Sequence, residues 1–293
     1  MSRYRFVHAE KATYPVVLLC RVLHVARSAY YAWTRRGVSA RARADAELTA
    51  QIAAAHVRSR GTYGTPRVHA ALRAAGVHTS RRRVARLMRA GGLAGCRRHR
   101  RARTTIVDPA RQPATNVVAR DFAASAPDRL WLGDITFVPT GEGWLYLAVL
   151  LDAHSRRVIG WAMADHLRTE LALDALAMAL RARRPGAHLV HHTDRGCQYT
   201  AVAYRARLAA HGVTCSMSRS GACLDNAMAE SFFATLKAEL VDTRRWQTRA
   251  AAKTAIFEWI EVFYNRQRAH SALAYQSPVN FEEAVLLLRC PAA

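Results

Sequence analysis

A chain of 293 residues with 51% apolar side chains has material for a substantial core in two or three domains, which excludes a wholly disordered tail. Lys and Arg number 44 against 21 Asp and Glu, a net charge of +23, and residues 1–110 hold 23 basic but only 4 acidic residues, so the partner indicated is a polyanion and the basic arm is N-terminal. Six scattered cysteines without a Cys-x-x-Cys pair argue against a zinc ribbon or a disulfide framework; with no signal-peptide pattern, and with its longest strongly apolar run, WLYLAVLL (144–151), too short to cross a bilayer, the chain reads as cytoplasmic.

The N-terminal third reads as helical. YPVVLLCRVLHVARSAYYAW (14–33) carries apolar residues at helical spacing, with a break near His24 to Arg27 and a cap at Ser28, which outlines a helix-turn-helix. A clearer outline follows. Thr65 and Pro66 start a helix carrying Val68, Leu72 and Ala75, Gly76 ends it, and Thr79 or Ser80 caps SRRRVARLMRAGG. There Val84, Leu87 and Met88 form the inner stripe, and Arg81, Arg82, Arg83, Arg86 and Arg89 lie mostly outward, suited to DNA phosphates or groove edges. The bland alternative is a solvated basic helix, and a coding bias toward arginine adds to it, although such bias does not explain the missing acids. RRHRRAR (97–103) extends the charge into a linker ending around Asp108-Pro109.

From about residue 128 the pattern changes. LWLGDITFVPT (130–140) and WLYLAVLLDAHSRRVIGWAMA (144–164), separated by a turn at Gly141-Glu142-Gly143, predict antiparallel strands. Next come a helix at 169–183, the strand HLVHHTD, a helix through 200–211, the strand VTCSMS, a loop and a helix over 226–240. That order predicts an α/β layer structure with a mixed sheet.

Three acids stand out in it. Asp134 sits mid-strand among apolar neighbours, and Asp194 follows a strand end, where α/β sheets place ligands. In DNAMAESFFATLKAEL, Met228, Ala229, Phe232, Leu236 and Leu240 share one helix face, whereas Glu230 and Lys237, seven apart, align on the opposite side. Three carboxylates from separate elements suit two hard divalent ions that activate an oxygen nucleophile and stabilise a leaving oxygen. Each acid alone has a structural explanation, as an ion-pair partner, a loop cap or an exposed helix residue. Asp225, beside Asn226, reads as a loop or cap acid and Asp152 as a strand-end acid near Arg156 or Arg157, and both stand as rival ligands. A zinc site at His191, His192 and Asp194 is the weaker alternative, because adjacent strand residues point to opposite faces.

These blocks resemble a known family, the DDE transposases of the third insertion-sequence family, OrfB type, which share a catalytic fold with retroviral integrases. Asp194 and Glu230 are separated by 35 residues and Lys237 lies seven beyond the glutamate; WLGDITF (131–137), DAHSRRVIGW (152–161), HHTDRGCQY (191–199), SMSRSGACLDNAMAESFFATLK (216–237) and YNRQRAHSALAYQSP (264–278) match the family's blocks, and HVRSRGTYGTPRVHAAL (56–72) its helix-turn-helix region. The resemblance implies an RNase H-like catalytic core with a mixed sheet, preceded by a basic all-helical region. It implies Asp134, Asp194 and Glu230 as catalytic ligands of two Mg²⁺ or Mn²⁺ ions, and Lys237 as a contact to end DNA, with Arg219 and Asn226 as weaker candidates for positioning substrate. The reaction implied is cleavage at an element end to expose a 3′-OH, followed by strand transfer. It also implies OrfA, or an OrfA-OrfB frameshift fusion, as partner, a homo-oligomer on DNA, no membrane association, and a bacterial, nucleoid-associated setting.

The boundaries expected are an N-terminal helical segment (1–50), a helix-turn-helix domain (51–95), a basic linker (96–125), the catalytic core (126–245) and a C-terminal helical extension (246–293). The competing functions are a nuclease of the same fold without strand transfer and a non-catalytic DNA-binding regulator. Tyr264, Asn265, Arg268 and His270 read only as polar, partly aromatic residues suited to DNA or to packing on the core.

Overall fold

The computed structural model describes residues 2–37, 39–96, 114–118, 121–219 and 223–289, so most of the expected basic linker, including RRHRRAR, lies outside the described residues. Three short helices, α1 (Arg3–Glu10), α2 (Val16–Val22) and α3 (Arg27–Arg35), enclose a small cluster of Val7, Leu19, Cys20 and Tyr30. The break between α2 and α3 falls where the sequence places it. Its cap differs: α3 begins after Ala26, which has no capping side chain, and Ser28 lies inside the helix.

The next three helices are α4 (Ala40–Arg58), α5 (Thr65–Ala74) and α6 (Arg81–Ala90). Pro66 fits the first turn of α5, where its missing N–H is no loss, and Gly76 ends the helix at φ +78°, a left-handed conformation that suits glycine. Ser80 caps α6 by accepting a hydrogen bond from the Arg83 N–H at 3.2 Å. Val84, Leu87 and Met88 are buried, as their spacing predicts.

The core is a five-stranded mixed sheet in the order β3-β2-β1-β4-β5, built from β1 (Leu130–Thr140), β2 (Gly143–Asp152), β3 (Val158–Ala164), β4 (Val190–Thr193) and β5 (Thr214–Met217). The first three strands pair antiparallel, and β4 and β5 continue the sheet in parallel with β1. Strand alternation divides the apolar residues between two faces. Trp131, Ala148 and Leu150 pack against α7 (Thr169–Arg183) and α9 (Val202–Ala210). Leu130, Leu132, Leu147 and Val149 pack against α10 (Ala227–Glu239), α11 (Arg249–Glu258) and a π-helical turn at Trp259–Tyr264. This is the α/β architecture that the element order predicts.

The helix expected over 200–211 is α9, and an additional short turn precedes it. A short α8 (Cys197–Thr200) ends at Ala201, whose extended backbone (φ −60°, ψ 140°) restarts the chain into α9. This break lets Tyr199 and Tyr204 both turn inward, their rings edge to face at 5.3 Å.

The last helix, α12 (Pro278–Arg289), is tied to the sheet through the buried Glu282. Glu282 accepts from Ser155 Oγ at 2.7 Å and from Arg157 at 2.7 Å, and it pairs with Arg183. Among the described residues, no helix is long and apolar enough to cross a membrane.

Candidate active site

The parallel pairing of β1 with β4 runs through Leu130↔Val190, Trp131↔His191 and Leu132↔His192. Asp134 and Asp194 each lie two residues beyond the last of these rungs, so the register brings the two acids side by side at the same end of neighbouring strands. Asp134 is half-buried and accepts from the Ile135 N–H at 2.8 Å. Asp194, also half-buried, accepts from the Gly196 N–H at 2.9 Å.

Glu230 enters from the first turn of α10, exposed, while Met228, Ala229, Phe232, Phe233 and Leu236 bury the other side of that helix. Burial drives the Asp134 carboxyl well above the usual carboxylate range, and the charges of Asp194 and Glu230 push it the same way. The Ile135 N–H and the Lys237 ammonium act in the opposite direction. The four groups therefore share one electrostatic site.

Its donors are all carboxylate oxygens, the set that suits a hard divalent cation. Positive charge placed among them would relieve the repulsion and desolvation that Asp134 bears. Among the described residues, no three His, Cys, Asp or Glu side chains are gathered tightly enough to ligate an ion as they stand, in keeping with mutual repulsion of like charges.

Asn226, a candidate for positioning substrate, also has a structural contact. It is buried, and its Nδ2 donates to the Gly133 carbonyl at 3.1 Å, tying the start of α10 to β1 immediately before Asp134. Gly133 is itself constrained, since a Cβ there would lie 2.8 Å from His191 Cε1 and 3.0 Å from Thr193 Cγ2. Lys237 is half-buried with Nζ 5.5 Å from the centre of the Phe137 ring. Arg219 keeps a largely exposed guanidinium, bonded to Asp225 at 3.2 Å.

The rival ligands are committed elsewhere. Asp225 is buried and also accepts from Asn116 Nδ2 and the Arg219 N–H, both at 3.0 Å. Asp152 is buried, accepting from the Asp128 N–H at 2.7 Å and the Ser155 N–H at 2.8 Å. The two histidines point apart: His191 Nε2 meets Tyr204 Oη at 2.8 Å, and His192 Nδ1 meets Ser216 Oγ at 2.8 Å. Burial lowers His191 to about 3, so it stands neutral.

Sequence reasoning missed Tyr199. It is buried, and its hydroxyl pKa is raised well above the ordinary value first by burial, then by Tyr204 and by the charges of Asp134 and Asp194, so it stays protonated. Its place in the quoted HHTDRGCQY block was the available signal.

Of the helix-turn-helix arginines, Arg81, Arg82, Arg86 and Arg89 are exposed. Arg83 and Arg86 both bond the Asp45 carboxylate of α4, at 2.8 and 2.6 Å.

Comparison with known proteins matches the same segments. Integrase core domain profiles align with residues 124–223 and 211–278, and an HTH-like domain profile with 42–101. The "Insertion element IS600 uncharacterized 31 kDa protein" of Shigella sonnei is 43% identical over 266 residues, 90% of this chain and 97% of that protein. The "Transposase InsF for insertion sequence IS3A" of Escherichia coli (strain K12) is 39% identical over 282 residues, 96% of this chain and 98% of that protein. Among solved structures, a simian T-cell lymphotropic virus intasome is 16% identical with a TM-score of 0.48, covering 77% of this chain and 74% of that one. With an integrase core, a helix-turn-helix-like region and near full-length identity to InsF, the chain belongs to the family of IS3 transposases.

Proposed function

We propose that this transposase breaks and joins DNA at the ends of an insertion sequence through Asp134, Asp194 and Glu230, which together hold two Mg²⁺ or Mn²⁺ ions. The observation that supports this most directly is the β1–β4 register, with Asp134 and Asp194 equally far beyond the Leu132↔His192 rung and Glu230 adding to the field at Asp134. When bound, the ions would polarise phosphoryl oxygens and stabilise the entering and departing oxygens of an in-line displacement.

The chain's own groups set the geometry. Asn226 fixes the β1 backbone before Asp134. Lys237 brings positive charge to the acid side of α10 and contacts a phosphate of the element end. Arg219 lies at the edge of the site, and Arg81, Arg82, Arg83 and Arg86 engage the duplex backbone from α6.

Water attacks phosphorus at the element end, and the P–O3′ bond breaks to leave a 3′-OH. That hydroxyl then attacks a second phosphodiester, one P–O bond forming as another breaks. The steps need neither an oxidant nor a covalent protein-DNA link. OrfA, alone or fused in frame, supplies further end recognition, and copies of the chain assemble on DNA.

Labelled element ends incubated with the chain, OrfA and Mg²⁺ test this reading. Asp134→Ala, Asp194→Ala and Glu230→Ala each lower cleavage and joining by roughly 10²-fold or more, as loss of preorganised electrostatic groups does elsewhere. Full transposition by any of the three removes that residue from the triad. Ends that are cut but never joined identify a nuclease.

A further inference from the structure

On the sheet face that packs against α10, a pocket of about 110 Å³ opens between the end of β2, α10 and the segment after the π-helical turn. A single water needs only about 10–15 Å³ on that measure, so the space suits a larger group. Its lining is strongly basic: Arg67 of α5, Arg156, Arg268 and His270, with Ser231 of α10 among them. Ser271 and Ala272 at its rim are exposed, so the pocket reaches solvent.

The arginines differ in their partners. Arg268 is bidentate to Glu239, at 2.7 and 2.9 Å, and Arg67 lies 3.9 Å from the same carboxylate. Arg156 is half-buried, and among the described residues no carboxylate lies within ion-pair distance of it. Guanidinium groups do not lose their proton in proteins, so a desolvated one without an anion is costly. Burial lowers the Arg156 pKa, in agreement with that cost. The backbone at Arg156 is also in the left-handed region, at φ +62°, held by its N–H to the Asp152 carbonyl at 2.9 Å and by the Tyr264 hydroxyl donating to its own carbonyl at 3.1 Å. Strain of this kind at a non-glycine residue collects where a side chain has a task.

We propose that this pocket is a second DNA contact, holding one backbone phosphate with the Arg156 guanidinium as its main ligand. The planar fork of arginine matches phosphate oxygens, and the neighbouring Arg67, Arg268 and His270 add to the positive field. The bound phosphate would touch the helix-turn-helix region, the catalytic helix and the C-terminal segment together, linking end binding to the placement of α10. The inference rests on the reading of the chain as a DNA-processing enzyme.

Binding of the full chain to a short fluorescent duplex, in chelator and across a salt series, tests it. Arg156→Gln weakens binding and reduces the slope of log affinity against log salt by about 0.9, the loss of one phosphate contact, while Arg156→Lys restores most of it. An unchanged affinity and slope in Arg156→Gln overturns the proposal; absence of salt-dependent binding by the unaltered chain overturns the DNA-processing reading instead. If inorganic phosphate raises the melting temperature of the unaltered chain but not of Arg156→Gln, and the duplex slope is unchanged, the pocket is a free-anion site and the DNA assignment fails. Should Arg156→Gln lose its near-ultraviolet circular dichroism, phenylglyoxal mapping of the unaltered chain decides: protection of Arg156 by the duplex supports the contact, and equal modification with and without duplex refutes it.

Discussion

Asp134 stands where an isolated carboxylate is costly, half-buried on the central strand with two acids nearby, and its position depends on small neighbours. Gly133 is one of them. In Gly133→Ala the new methyl meets His191 and Thr193 at 2.8 and 3.0 Å, and overpacking of this kind costs about 1–3 kcal/mol. Denaturant unfolding should show that loss, and a variant as stable as the parent shows that β4 yields without strain. His191 carries a pH signature. Its folded pKa of about 3 lies below the ordinary 6.5, so the unfolded chain binds the extra proton and stability falls as pH drops from 6.5 toward 3, by about 1.4 kcal/mol per pH unit at most. His191→Gln keeps a polar partner for Tyr204 and removes this contribution. Identical stability-against-pH slopes for parent and variant in that window would exclude His191 as its source.

At the scale of elements, the helices and strands were legible because their signals are local. Ser80, Pro66 and Gly76 mark helix ends by their own chemistry, and the apolar stripe of α10 leaves Glu230 outward. Contacts made across the chain were not. Nothing in the spacing of β1 and β4 announces that they are neighbours, and the Asn226 bond to Gly133 spans 93 residues. The acids were found through their separation and their surrounding blocks rather than through geometry. Asp45 illustrates the same limit, since its bonds to Arg83 and Arg86 join α4 to α6 across 38 and 41 residues. Those bonds, Arg86 first, hold the Asp45 carboxyl below its usual range and occupy two of the arginines assigned to DNA. Asp45→Asn therefore strengthens duplex binding and steepens its salt dependence by up to about 0.9 per freed contact. Weaker binding by Asp45→Asn, measured by the same titration, shows that Asp45 aims the two arginines instead of competing for them.

At the scale of the whole molecule, the C-terminal segment is part of the core that carries the site. Trp259, Ile260, Phe263 and Tyr264 are buried in the same cluster as β1, β2 and α10, and Phe232, two residues beyond Glu230, meets the Trp259 and Tyr264 rings edge to face at 5.8 and 4.9 Å. Asn265 reaches the edge strand, accepting from the Val158 N–H and donating to its carbonyl, both at 3.0 Å, as a neighbouring strand would. The helix-turn-helix region closes on this segment as well: the Ala269 N–H donates to Tyr63 Oη at 2.6 Å, and Arg60 pairs with Glu258 at 2.7 Å. A boundary drawn at residue 246 therefore divides a packed interior. Trp259→Ala removes a fully buried indole and should cost about 3–5 kcal/mol, and Glu282→Ala, which leaves Arg183 to its pairing with Asp128 at 3.3 Å, also lowers stability. Removal of 246–293 takes away all of these contacts together and exposes the rear of α10, so the remainder should lose cooperative thermal unfolding along with DNA joining. A truncated chain that still melts in one sharp transition at the parent temperature would show that Glu230 is held in place by the sheet alone.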